Sequence, residues 1–436
     1  MLALFTLCFA ALSFEALSLE AQGAAVPKLA EDPRSAASTD TRPILIQAGA
    51  VIDAKGQRFA PGSVLVKDGK ILAVGSGLVA ENAELREFGA RAVVTPGLIE
   101  ANAELEPLER AEEGVEITPR LRLADGLDPE SRAWAGLRRN GVTSAFLSPS
   151  GRSVISGRGA VVKTMPTADD RWILDAAGAL KATTGQEPSG GNIVPRFGRP
   201  NSIFYRRPTT RMGVTWEFRK AFSDAQLYAA ARQAGGPLDP DAQVLADLMA
   251  SKGEIRMRAR LLQDIRTAIR LAEEFGLRLV IEEGIESFRS PEEILAAKAK
   301  LIYGPTLFQP AGIVFGFGFG GGSVRQQETD RNYLATPARL HAAGVEFALG
   351  SAEYAASDRG LAHQAAIAVH FGLPREVALR ACTVVPATWL GIDKRVGTLE
   401  VGKDADLVVW SGEPFELATR PVAVMVDGAF ADAQED

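Results

Sequence analysis

The chain has 436 residues, 46% hydrophobic and 23% charged, with a formal net charge of −6. That length supports a large core and more than one domain, and the charge gives no general attraction to nucleic acid or anionic lipid. Two cysteines, Cys8 and Cys382, exclude a disulfide framework and a cysteine zinc site. Histidine occurs only as His341, His363 and His370.

Residues 1–12 are nearly all apolar, a run too short for a membrane span, which needs roughly 20. Small residues follow at Ala21, Gly23, Ala24 and Ala25. Residues 1–23 therefore read as a signal peptide, and the protein as exported to the periplasm or the medium. No Lys or Arg precedes the run, which leaves an amphipathic start or a misassigned start codon as the other reading. Residues 24–42 are polar and read as a linker.

From 43 to 87 the pattern is one of short strands. Ile44-Leu45-Ile46 leads to Ala50-Val51-Ile52-Asp53, with a turn at Ala54-Lys55-Gly56. Asp68-Gly69 between two apolar runs predicts a hairpin. The C-terminus repeats this texture over 406–410 and 422–426, followed by Asp427-Gly428. Neither half makes a stable sheet alone, so one small β domain is expected from both ends, residues 43–96 with 397–432.

The middle alternates strands and helices. Residues 255–259, 277–281, 301–303 and 345–349 read as strands. Leu261, Leu262, Ile265, Ala268, Ile269 and Ala272 keep helical spacing, and Gly276 ends that helix. Ser290-Pro291-Glu292-Glu293 predicts a helix start with a capping box. Repeated βα units imply a parallel sheet, doubly wound or closed.

Several stretches resemble the amidohydrolase superfamily, close to its imidazolonepropionase-like branch. Val94-Thr95-Pro96-Gly97-Leu98-Ile99 is similar to the entry into barrel strand one. The run from Gly397 through Asp404-Ala405-Asp406-Leu407 is similar to that family's return into its β domain. Residues 138–143, 210–213 and 386–388 follow the same order between them. The resemblance implies a (β/α)8 TIM barrel over 97–396 beside a small composite β-sandwich, with the site at the C-terminal strand ends. A doubly wound sheet is the alternative.

The family holds one or two divalent metals on a His-x-His of strand one, often a lysine of strand four, histidines of strands five and six and an aspartate of strand eight. The metal activates water and polarises the carbonyl under attack. Here the corresponding positions read Asn102 and Glu104 on strand one, Arg258 and Arg260 on strand five, Glu283 on strand six and Ala352 on strand eight. Lys181 is a weak candidate for the strand-four lysine. Arginine cannot be deprotonated to bind metal, and Glu104 with Glu283 make a poor zinc set. No metal, cofactor or catalytic residue is therefore expected. His341, His363 and His370 fall on helices and read as packing or surface residues.

Strand parity puts Arg258 and Arg260 on one face. Turned inward, they would meet Glu104 and Glu283, two charges against two. The network either fills the space vacated by metals or forms a pocket for an anionic or polar ligand. Metal-free acid–base hydrolysis by these carboxylates is disfavoured, because each is tied to an arginine. Gly312 to Gly322 lacks the strand and helix of a dinucleotide fingerprint and reads as a loop. Arg196, Arg199, Arg206, Arg207 and Arg211, interleaved with Phe197, Phe204 and Tyr205, read as an exposed loop or subunit contact, not a nucleic-acid surface.

The composite reading is an amidohydrolase-fold pseudoenzyme, kept for binding or as partner of an intact relative, as a homo-oligomer or hetero-oligomer. The competing reading is an active hydrolase of carbon–nitrogen bonds with an unorthodox site.

Overall fold

β1 (Ile44–Ala48), β2 (Ala50–Ile52), β3 (Arg58–Phe59), β4 (Gly62–Lys67), β5 (Lys70–Gly75), β6 (Glu84–Glu87) and β7 (Val93–Pro96) open the structure, a computed structural model. It describes residues 42–104, 112, 114–190, 192, 207–306, 328, 331–352 and 360–431. The expected signal peptide, all but the last residue of the expected linker, segment 312–322, and Arg196, Arg199, Arg206, Phe197, Phe204 and Tyr205 lie outside these residues. β4 and β5 form the expected hairpin. Asp68 and Gly69 both take positive φ, 49° and 75°, as a type I′ turn requires.

The chain continues through β8 (Leu98–Ala103), β9 (Val142–Leu147), β10 (Ile155–Arg158), β11 (Ala160–Lys163), β12 (Ile173–Asp175), β13 (Leu180–Thr183), β14 (Glu254–Ala259), β15 (Arg278–Glu283), β16 (Lys300–Tyr303) and β17 (Phe347–Leu349). β13 to β17 are successive parallel neighbours, and β8 lies parallel to β9. The helix Leu262–Glu274 buries Ile265, Ala268, Ile269 and Ala272 of the predicted stripe and adds Leu271, while Leu262 is half-buried. The buried ones pack with Met257, Ile281, Leu301 and Leu349 in the main core.

The expected closed barrel is corrected in one respect. Among the described residues the parallel strands fall into two sheets, ordered β12-β11-β9-β8 and β10-β13-β14-β15-β16-β17. One break is local: β10 and β11 run antiparallel and occupy the edges of β13 and β9. The other lies between β8 and β17, which share no ladder among the described residues. The capping box at Ser290 is a second correction. The helix Pro291–Ala296 forms, but the Ser290 side chain makes no cap, and Glu293 is drawn away to Arg266.

β18 (Leu407–Trp410), β19 (Pro421–Val426) and β20 (Ala429–Phe430) close the chain. β18 pairs antiparallel with β7, so one six-stranded sheet, β20-β19-β18-β7-β2-β3, draws on both ends of the sequence. Ile46, Val64 and Ile71 from the sheet β5-β4-β1-β6 share a buried cluster with Val94, Leu407 and Met425 from the six-stranded one.

Candidate functional site

Arg258 lies near the C-terminal end of β14 and Arg260 just beyond it; Glu283 ends β15 and Glu104 follows β8. The structure brings these four together at the C-terminal ends of the parallel strands. Both guanidiniums are buried. Nη2 of Arg258 meets Glu104. Its Nη1 lies 3.0 Å from Glu187 and its Nε 3.0 Å from Glu283. Arg260 uses Nε on Glu283, Nη2 on Glu187 at 2.6 Å and Nη1 on Glu328 at 3.1 Å. Every nitrogen of both guanidiniums thus faces a carboxylate. Gly151 permits this packing, since a Cβ there would fall 2.2 Å from Nη1 of Arg258.

The expectation of two charges against two undercounts the cluster. Glu187 and Glu328 add two carboxylates, and Arg211 bridges Glu328 at 2.6 Å and Asp264 at 3.0 Å. Around Arg258, Arg260 and Arg211 stand Glu104, Glu187, Glu283, Glu328 and Asp264, so acid outnumbers base. Burial works against the charge of Arg260, but Glu187, Glu283 and Glu328 outweigh it and hold its pKa above the ordinary value. Burial pushes the Glu328 and Asp264 carboxyls up, against the pull of Arg260 and Arg211 on both.

A second buried cluster lies one step back along the strands. Lys181, in β13, meets Glu282 and donates to the Ser148 hydroxyl at 2.9 Å. Arg256 donates to Glu282 at 2.6 Å and lies 3.6 Å over the Phe146 ring. Strand parity would put adjacent Glu282 and Glu283 on opposite faces. The backbone turns left-handed at Glu283, φ 71°, and at Gly284, φ 49°, so each carboxylate serves a cluster inside.

Asn102 and Ala352 do not join the network. Both are buried. Neither side-chain atom of Asn102 is hydrogen-bonded among the described residues. Two residues before it, Glu100 accepts from the Asn102 and Ser351 amides at 3.0 and 2.9 Å and from the Ser351 hydroxyl. Full burial raises its carboxyl to about 7 despite these bonds. His341 lies in the helix Thr336–Ala342, and His363 and His370 in Leu361–His370.

The fold and these motifs have relatives. The Amidohydrolase family model matches residues 267–430. The amidohydrolase tasK of Hapsidospora irregularis is 26% identical over 406 residues, 84% of this chain and 39% of that protein. An imidazolonepropionase of Sphingopyxis alaskensis is 49% identical over 51 residues, 12% of this chain and 13% of that protein. This chain therefore spans well under half the length of either. An amidohydrolase structure from Thermotoga maritima MSB8 superposes with a TM-score of 0.75 at 28% identity, covering 90% of this chain and all of that one.

The chain belongs to the amidohydrolase superfamily. Its structural neighbours imply a TIM-barrel fold, and the Arg258–Arg260 network occupies the strand ends where such barrels carry their sites. A divalent metal does not fit the residues present. Among the described residues no three His, Cys, Asp or Glu side chains gather as a metal would need. The carboxylates nearest the superfamily positions are engaged by arginine instead.

Of the residues singled out in the sequence, Glu104, Arg258, Arg260 and Glu283 converge, while Asn102 and Ala352 stay apart. Arg256, Glu282 and Glu100 were missed. Arg256 stands two residues before Arg258, so the same parity argument would have found it. Glu187 and Glu328 come from non-strand segments whose sequence carries no period to read.

Proposed function

We propose that this superfamily member performs no metal-dependent hydrolysis, and that its barrel end serves binding or assembly instead. One observation carries the reading: each nitrogen of Arg258 and Arg260 is matched to a carboxylate where the superfamily holds metal. A buried cation so matched has little attraction left for an anionic ligand. This favours an internally satisfied network over an anion pocket. We propose also that residues 43–96 with 397–432 act as a β-sandwich domain beside the barrel.

Metal-free hydrolysis of a carbon–nitrogen bond is a second reading, favoured by Glu100. Its carboxyl can exchange a proton near neutrality, and the side-chain amide of Asn102, without a hydrogen bond among the described residues, lies two residues on. Gly350 keeps the spot open, since a Cβ there would fall 3.3 Å from Glu100 Oε1 and 3.9 Å from Asn102 Cβ.

One assay separates the readings. Cyclic amides and N-acyl amino acids are offered to the protein across pH, with zinc and with chelator, beside Glu100→Gln. No turnover above buffer is expected. Turnover that rises with zinc and falls with chelator would contradict the proposal. Turnover indifferent to metal, with a break near pH 7 that Glu100→Gln abolishes, would establish the second reading.

A further inference from the structure

At the end of the parallel strands opposite the Arg258–Arg260 network lies an open cavity of about 580 Å³. Glu254, Arg278 and Lys300, the first residues of β14, β15 and β16, edge it, together with Arg158 at the end of antiparallel β10. This end of a barrel is ordinarily packed and serves stability, not a site. The cavity instead has the size of a small-molecule pocket, roughly 300–1,000 Å³. Phe146, Trp389 and Leu390 give it an apolar wall, and Trp389 ends the helix Val384–Trp389.

Arg256 supplies the floor. It stands two residues before Arg258 in β14, so the two side chains share a face. Its Nε donates to Glu282 at 2.6 Å and its Nη2 to the Ala101 carbonyl, which leaves Nη1 for the cavity that the side chain lines. Glu282 also pairs with Lys181. Two buried cations on one carboxylate leave one positive charge over. Glu100 offsets it only in part, because burial raises that carboxyl to about 7. Burial accordingly pulls Arg256 down to about 9, whereas Arg260, ringed by carboxylates, is raised. A buried cation short of a counter-ion is costly, and an anion that reaches it is favoured. At the rim the charges balance. Lys300 pairs with Glu254 at 2.6 Å, and Arg158 and Arg278 face the cavity with Asp175 and Asp247.

We infer that this cavity binds a small organic carboxylate, with its anionic group on Nη1 of Arg256 and its apolar body along Trp389 and Leu390. One spare positive charge matches a monoanion better than a phosphate dianion. A guanidinium bonded to a carboxylate is also among the stronger and better oriented hydrogen bonds. The inference is independent of what the opposite strand ends do.

Calorimetric titration of the full chain tests it, with phenylacetate, its uncharged amide and inorganic phosphate as probes. Phenylacetate should saturate one site per chain, and the amide and phosphate should each bind at least about tenfold more weakly. Arg256→Gln should abolish binding of the acid. That change also disturbs a buried ion pair, so Trp389→Ala gives a second variant in a half-buried wall position. It should weaken phenylacetate about tenfold while the protein still melts cooperatively. No saturable heat from phenylacetate at millimolar concentration would overturn the inference. So would an amide or phosphate that binds as tightly as the acid, or acid binding unchanged in Trp389→Ala.

Discussion

Glu283 is the carboxylate shared by both central arginines, with Oε1 on Arg258 and Oε2 on Arg260. Glu283→Ala leaves two buried guanidiniums short of one partner each, and losing one member of a buried pair typically costs about 3–5 kcal/mol. Arg266 and Glu293 form a comparable contact in the open, 47% and 40% exposed; Arg266→Ala should cost roughly 0–1 kcal/mol. Thermal unfolding of both variants beside the parent should show a marked drop for the first and almost none for the second. Unchanged melting for Glu283→Ala would show that the network is not held by its charges. Glu283 was legible in the sequence because Ile281-Glu282-Glu283-Gly284 departs from the family pattern at one position. Glu282 was passed over although ordinary parity turns it inward beside its strand partner Arg258; it is Glu283 whose inward position depends on its own left-handed backbone, which no short window shows.

At the scale of elements, β11 is tied to the C-terminal strands through one buried lysine. Lys163 meets Asp404 at 3.0 Å, Asp406 at 2.9 Å and Asp427 at 3.0 Å. Burial opposes its charge, but these aspartates outweigh it and raise its pKa. The same burial raises the Asp406 carboxyl, which Lys163 partly counters. Lys163→Met should therefore cost about 3–5 kcal/mol, as for any buried pair broken on one side. Lys163→Met with Asp406→Asn should cost less than the two singles added, because the sites are coupled. Denaturant unfolding measures both, and strict additivity would contradict the coupling. Hairpins such as Asp68-Gly69 were legible because their turn chemistry is local. The antiparallel strands over 155–175 were not. Their pairing is set by which edges of β9 and β13 stand free, a tertiary fact that no short window contains.

Across the whole molecule, a superfamily fold carries a buried arginine–carboxylate network at its strand ends. The family resemblance was legible because motifs such as Val94-Thr95-Pro96-Gly97 and Asp404-Ala405-Asp406 specify how the two ends of the chain meet, through β7 and β18. How the strand ends are filled was only half legible, because Glu187, Glu328 and Arg211 reach the network from outside the strands. The central claim is that an arginine–carboxylate network stands in the metal's place. Elemental analysis of dialysed protein, expressed with added zinc, iron and manganese, tests it most directly. The account predicts far less than one equivalent of any divalent metal. About one equivalent that survives dialysis, and is lost on Glu283→Ala, would contradict it.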